Sequence, residues 1–202
     1  MKVPVIVFSR APVPGRVKTR LAGRLGAWGA ARLHMRLTRR ALRTAREAAC
    51  GPVELHVTAC HAAFDFYANK FIQKGSNLGE RMYRALRRHR RAILIGSDCP
   101  ALAAGDLRRA ARLLCAGYRV VLLPTEDGGY ALIAAQHAPR AIFEGIAWGE
   151  SQVFRETAKR LARLDCRWRA LRVLRDVDRP EDLDQIAPLF LRRPATRSAI
   201  TP

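Results

Sequence analysis

Apolar positions along this chain recur in two periods, and the two alternate. Residues 3–8 (VPVIVF) form a nearly continuous apolar run of strand length, rich in Val and followed by a Pro/Gly loop. Such a run reads as a strand buried on both faces. Residues 53–59, 70–73, 92–96, 119–124, 130–134 and 168–174 read as further strands. Between them the period lengthens. Leu33, Leu37, Ala41 and Ala45 fall on one face of a helix over 30–49, preceded by a turn or two of helix at 18–25. Leu78, Met82, Ala85, Leu86 and His89 line one face over 77–90, with a second stripe of Arg81, Arg84, Arg88 and Arg91. Helices are also expected over 61–68, 105–116, 151–164 and 181–188, and Asp127-Gly128-Gly129 marks a turn between two strand-like runs. Strands alternating with helices predict an α/β fold, a mostly parallel sheet with helices on both faces. One domain is expected over 1–188, with 189–202 as a basic, mobile tail.

The chain has 202 residues, 49% of them hydrophobic, which is enough to build a core and excludes a disordered polymer. No apolar run approaches the ~20 residues of a membrane span. The first eight residues lack the cationic start and small-residue cleavage site of a secretory leader. The expectation is a soluble, cytoplasmic protein.

The formal charge of +20 invites a nucleic-acid reading. Only five of the 37 basic residues are Lys, however, and an Arg excess of this size suggests a GC-rich coding sequence. No specific nucleic-acid partner is expected. The distribution of charge says more: twelve basic residues and no acidic one precede Glu47, whereas Asp176, Asp178, Glu181, Asp182 and Asp184 fall within nine residues. Five cysteines without a C-x-x-C pair suggest reduced thiols rather than a disulfide framework or structural zinc.

In doubly wound sheets ligands bind beyond the carboxyl ends of the strands, and that rule selects four loops. The loop after the first strand carries Arg10, Gly15, Arg16, Lys18 and Arg20 and opens a helix. Cations and free helix N–H groups there suit phosphate oxygens, although a solvated basic loop has the same composition. Asp98 follows the strand over 92–96 and suits a hard divalent cation, or caps the turn before Pro100. Asp178 and Glu181 have capping-box spacing, with Pro180 in the first helical turn, whereas Asp176 is left unexplained by capping and is the better second metal ligand. Asp127, in the DGG turn, is placed to orient a sugar or act as a base, and Gly128 and Gly129 let backbone approach a ligand or simply close a hairpin. Asn77 and Glu80 can cap a helix, and Arg81 in its first turn sits against the dipole, which suggests an anion nearby. Trp148 is core or a stacking platform.

The ordered set APVPGRVKTRL, NLGERM, GSDCPAL, EDGGYALI, W-x-x-x-x-V-x-x-x-T (Trp148, Val153, Thr157) and DVDRPEDL resembles small bacterial GT-A transferases, of the nucleotide-diphospho-sugar transferase-like, selenodomain-associated or arsenosugar-biosynthesis glycosyltransferase type. The resemblance spans residues 3–183. It implies a Rossmann-like GT-A fold, a nucleotide-activated donor, a small-molecule acceptor and Mg²⁺ or Mn²⁺. Arg10, Gly15, Lys18, Arg20, Asn77 and Arg81 would bind nucleotide and phosphates, Asp98 and Asp176 the metal, and Asp127 and Tyr130 the sugar or acceptor. Asp178, Gly128, Gly129 and Trp148 would assist. Ala134-Ala135 and Glu150-Ser151 depart from the family pattern and bear on the acceptor pocket. The KTRL segment is also similar to guanylyltransferases of cofactor biosynthesis. A nucleotidyltransferase releasing pyrophosphate is therefore the alternative, and a non-enzymatic nucleic-acid module a remote third.

Overall fold

A computed structural model describes residues 2–184 and 186. Seven strands form one sheet among these residues: β1 (Val5–Ser9), β2 (Val53–Val57), β3 (Lys70–Ile72), β4 (Arg91–Ile95), β5 (Val120–Pro124), β6 (Tyr130–Gln136) and β7 (Trp168–Ala170). Their order is β3-β2-β1-β4-β6-β5-β7. Only β6 runs antiparallel to its neighbours β4 and β5, because the DGG turn folds it back on β5 as a hairpin. The other pairings are parallel.

The helices are α1 (Ala22–Ala48), α2 (Leu78–Leu86), α3 (Ala104–Cys115) and α4 (Val153–Arg163). Alternation along β1 shows how the layers form. Val5 and Val7 face a core shared with Leu42 and Ala45 of α1 and Leu107 and Leu114 of α3. Ile6 and Phe8 face a second core shared with Met82 and Leu86 of α2 and Leu161 of α4. Both faces of the strand are covered, which is why its sequence is apolar throughout.

Three expectations change. Residues 61–68 give only a 3-10 turn, Ala62–Phe64, capped by His61. The strand expected over 168–174 stops at Ala170, and Leu174 rejoins the sheet as a lone bridge to Thr125. The helix expected at 181–188 begins as a 3-10 turn, Pro180–Asp182. Its end, like the tail expected at 189–202, lies outside the described residues.

The order of the sheet positions the site. From β1 the chain moves outward to β2 and β3, then returns to the other side of β1 as β4. Neighbouring loops at the carboxyl ends of β1 and β4 therefore lead in opposite directions and leave a crevice, where open α/β sheets bind their ligands.

Candidate active site

The loop leaving β1 forms one wall of the crevice. Gly15 supplies a positive φ of 77°, which costs a glycine no Cβ clash. Ala11 N–H donates to Thr58 Oγ1 at 3.0 Å and ties the loop to the end of β2. Beneath it lies a buried polar chain. Ser9 Oγ is 3.1 Å from His34 Nε2 and 2.8 Å from Thr38 Oγ1. His34 Nε2 also lies 3.0 Å from the Arg10 carbonyl, which only accepts, so Nε2 carries the proton. Burial lowers the His34 pKa, favouring the neutral ring. The Arg10 side chain itself is exposed.

Lys18 ends the loop in a left-handed conformation, with φ 48°. Its side chain is 5% exposed, which a lysine tolerates only when paired. The ammonium donates to the Val177 carbonyl at 2.6 Å, lies 2.9 Å from Asp98 Oδ1 and is 3.8 Å from Asp178 Oδ1. Arg20 pairs with Asp178, and Arg24 Nη2 with Asp184 Oδ1 at 2.8 Å. The acid-free first segment thus meets the acidic segment near the other end of the chain, about 160 positions away.

The acids come from three loops stitched by backbone. Val177 N–H donates to the Asp98 carbonyl at 2.9 Å, and Glu126 N–H to the Leu174 carbonyl at 3.0 Å. The loops after β4 and β5 are thereby joined through residues 174–177. Asp98 Oδ1 is buried and accepts no aligned hydrogen bond; Lys18 approaches it as an ion pair rather than a directed donor. Asp176 is pushed up to about 6 by burial first and then by the charge of Asp127, with Lys18 opposing. Asp127 folds one oxygen into its own turn, where Oδ1 accepts from Thr125 Oγ1 at 2.6 Å and from Gly129 N–H at 3.0 Å.

A buried carboxylate oxygen without an aligned donor, on a loop joined through Val177 to the segment that carries Asp176, is an arrangement that a hard cation would relieve. No group of three or more His, Cys, Asp or Glu side chains forms a metal cage among the described residues. Mg²⁺ is commonly held by one or two carboxylates, with substrate phosphates and water completing the shell, so the donor set fits that mode.

Other expected site residues make contacts within the fold. Asn77 Oδ1 accepts from Glu80 N–H at 2.9 Å and caps α2. Arg81 Nε donates to the Gly75 carbonyl at 3.1 Å, so its cation braces the preceding loop. Tyr130, expected at the sugar or acceptor, has its hydroxyl buried without an aligned partner in the layer shared with Thr157 of α4, and burial raises its pKa. Trp148 stands edge-on to the Tyr130 ring at 6.4 Å and packs so closely on α2 that a Cβ on Gly79 would fall 2.4 Å from its Nε1. The glycine of the DGG turn is equally constrained: a Cβ on Gly128 would fall 1.9 Å from the Ser151 carbonyl oxygen. Gly128 and Gly129 thus make room for the protein's own backbone and turn.

The capping role expected of Asp178 is corrected. Asp182 Oδ2 accepts from Arg179 N–H at 2.8 Å and Asp178 N–H at 3.0 Å, releasing the Asp178 carboxylate to Arg20 and Lys18. Sequence reading missed Asp182, and it missed His34 and Thr38. The last two lie on the buried face of α1, where a polar residue looks like a break in the apolar stripe. Polarity within that stripe was the signal.

The strand order, the single antiparallel strand and the acid-and-lysine crevice at the switch point define a Rossmann-like GT-A fold. The chain belongs to the bacterial family DUF2064, described as an uncharacterized protein conserved in bacteria, whose model matches residues 38–150. That match contains Asp98 and Asp127 but neither the Lys18 loop nor Asp176. Among solved structures, the chain is similar to a candidate nucleotide-diphospho-sugar transferase from Desulfovibrio desulfuricans G20. Identity is 28% over 98% of this chain and 92% of the other, with a TM-score of 0.83. The fold is shared with CMP:2-keto-3-deoxy-manno-octonic acid synthetase complexed with CTP, at 10% identity, 94% and 98% coverage and TM-score 0.62. It is shared also with the manganese complex of Rv0371c from Mycobacterium tuberculosis H37Rv, at 19% identity, 92% and 98% coverage and TM-score 0.54. A search of curated proteins gave no match.

Proposed function

We propose that the protein is a metal-dependent glycosyltransferase that takes a nucleotide-diphospho-sugar donor and a small-molecule acceptor. The observation that carries this reading is the meeting of Lys18 with Asp98 and Asp178 at the switch point, with Asp176 facing the same charges. The Desulfovibrio protein, similar over nearly the whole chain, supports the donor class.

In this reading Arg10, Gly15, Lys18 and Arg20 bind the nucleotide and its phosphates. Asp98 and Asp176 hold Mg²⁺ or Mn²⁺, which when bound would offset charge developing on the diphosphate leaving group. Asp178 orients Lys18 and Arg20. Without ligand the Lys18 ammonium lies between carboxylates, and loosening of that pairing frees a buried cation for phosphate. The exposed oxygen of Asp127 faces the sugar or acceptor. Asn77, Arg81, Trp148 and Tyr130 fix the walls.

The second reading, a nucleotidyltransferase, draws support from the twelve cations that precede Glu47. Three of them, Lys18, Arg20 and Arg24, are already matched by Asp98, Asp178 and Asp184, which reduces the excess available to a triphosphate. Calorimetry against nucleotide sugars and nucleoside triphosphates, with and without Mn²⁺, tests both. Mn²⁺-dependent nucleotide-sugar binding that is lost in Asp98→Ala supports the first. Pyrophosphate release from a triphosphate supports the second. Binding of neither class overturns both.

A further inference from the structure

Arg84 of α2 and Arg87 and Arg88 just beyond its end face away from the loops of the crevice. With Glu80, Tyr83 and Arg140 they line a separate concavity of about 460 Å³, within the size range of small-ligand pockets. Arg87 and Arg88 lie at the end of α2 that leads into the start of β4, whereas Asp98 follows the opposite end of that strand.

The guanidinium groups are held in place. Arg88 lies over the Phe71 ring at 4.3 Å, and Arg87 and Arg140 lie 5.8 and 5.9 Å from the centroid of the Tyr83 ring. Stacking engages the face of a guanidinium and leaves its N–H edge available, the geometry that recognises phosphate. Glu80 holds Arg84, and Glu144 holds Arg140. Arg87 and Arg140 bring two positive charges to the same concavity, and an anion bound there would offset their repulsion.

We propose that this groove binds a small ligand carrying two or more adjacent phosphoryl groups, at a site distinct from the Asp98 crevice. The limited volume of the concavity favours a compact anion over an extended one.

Tripolyphosphate is the probe, titrated calorimetrically in EDTA at physiological salt into the full chain, Arg87→Ala/Arg140→Ala and Arg112→Ala, an exposed arginine of α3 on the other face of the sheet. Wild type and Arg112→Ala are expected to bind equally, and the double variant at least about tenfold more weakly with an unchanged melting temperature. Amide shifts should centre on α2 and residue 140. Unchanged affinity in the double variant overturns the proposal, as do amide shifts centred on residues 15–20 and 98 in place of α2. A 20-nucleotide single-stranded RNA that binds more tightly than tripolyphosphate, with a salt slope of many phosphates, also overturns it in favour of an extended nucleic-acid surface.

Discussion

Replacing Gly128 by alanine separates two reasons a glycine is required. Its φ is 87°, where an L-residue is strained by about 1–2 kcal/mol. The added Cβ would also meet the Ser151 carbonyl oxygen at 1.9 Å, with backbone that cannot swing aside. Relief requires segment 149–154 to move off the turn, which lengthens the bond from Phe154 N–H to the Gly128 carbonyl, now 2.8 Å. Losing that bond costs about 0.5–1.5 kcal/mol, and parting packed backbone adds a comparable amount. The expected loss is about 3 kcal/mol, or a melting temperature lower by roughly 6–12 °C for a chain of this size. Gly15 is the control: its φ is 77°, but its Cβ would meet nothing within 4 Å. Gly15→Ala should lose only the conformational part, roughly 2–8 °C. Thermal unfolding by circular dichroism reads both. Equal losses would show that the turn is not pinned by segment 149–154, and the account of Gly128 would be wrong.

Three further outcomes follow from the crevice. The Asp176 carboxyl is raised from 3.8 to about 6, so in EDTA the stability it contributes below pH ~4 is lost as pH rises through about 6. The full shift amounts to roughly 3 kcal/mol, reduced by partial exposure, so Asp176→Asn should be about 1–3 kcal/mol more stable than wild type at pH 7.5 and equal to it near pH 3.5; parallel urea titrations with the same pH slope would contradict this. Lys18→Met removes the cation between Asp98 and Asp178, whose carboxylates remain half exposed; it should cost only about 1–3 kcal/mol yet weaken nucleotide binding more than tenfold in a thermal-shift titration. His34→Ala deletes the ring under the Arg10 carbonyl; it should cost about 2–4 kcal/mol and speed amide exchange across residues 10–20, with nucleotide affinity falling in step.

Much of the site was legible because its parts are local. The strand–loop–helix order around Lys18 and the strand that precedes Asp98 both show in hydrophobic period and turn residues. What was not legible shares a cause. Asp178 and Asp182 both stand near a helix start, and spacing favours the pair Asp178 and Glu181. The choice fell to Asp182 because Arg20 and Lys18, far away in sequence, draw the Asp178 carboxylate. Tyr130 sits beside the turn that carries Asp127, yet strand alternation turns its ring toward α4 and Trp148.

The amino-acid order alone determined the layered α/β architecture, since periods of 2 and 3.6 are properties of short segments and their burial. It also selected the loops at the carboxyl ends of the strands as candidates, whereas the strand order placed those after β1 and β4 side by side. Only the tertiary structure decided which charges meet. Lys18 and Asp178 lie far apart in sequence, and the closure of their loops rests on backbone bonds such as Val177 to Asp98 that leave no periodic trace. Long-range electrostatic partners are selected by the packed sheet that brings them together, not by any local preference of the residues themselves.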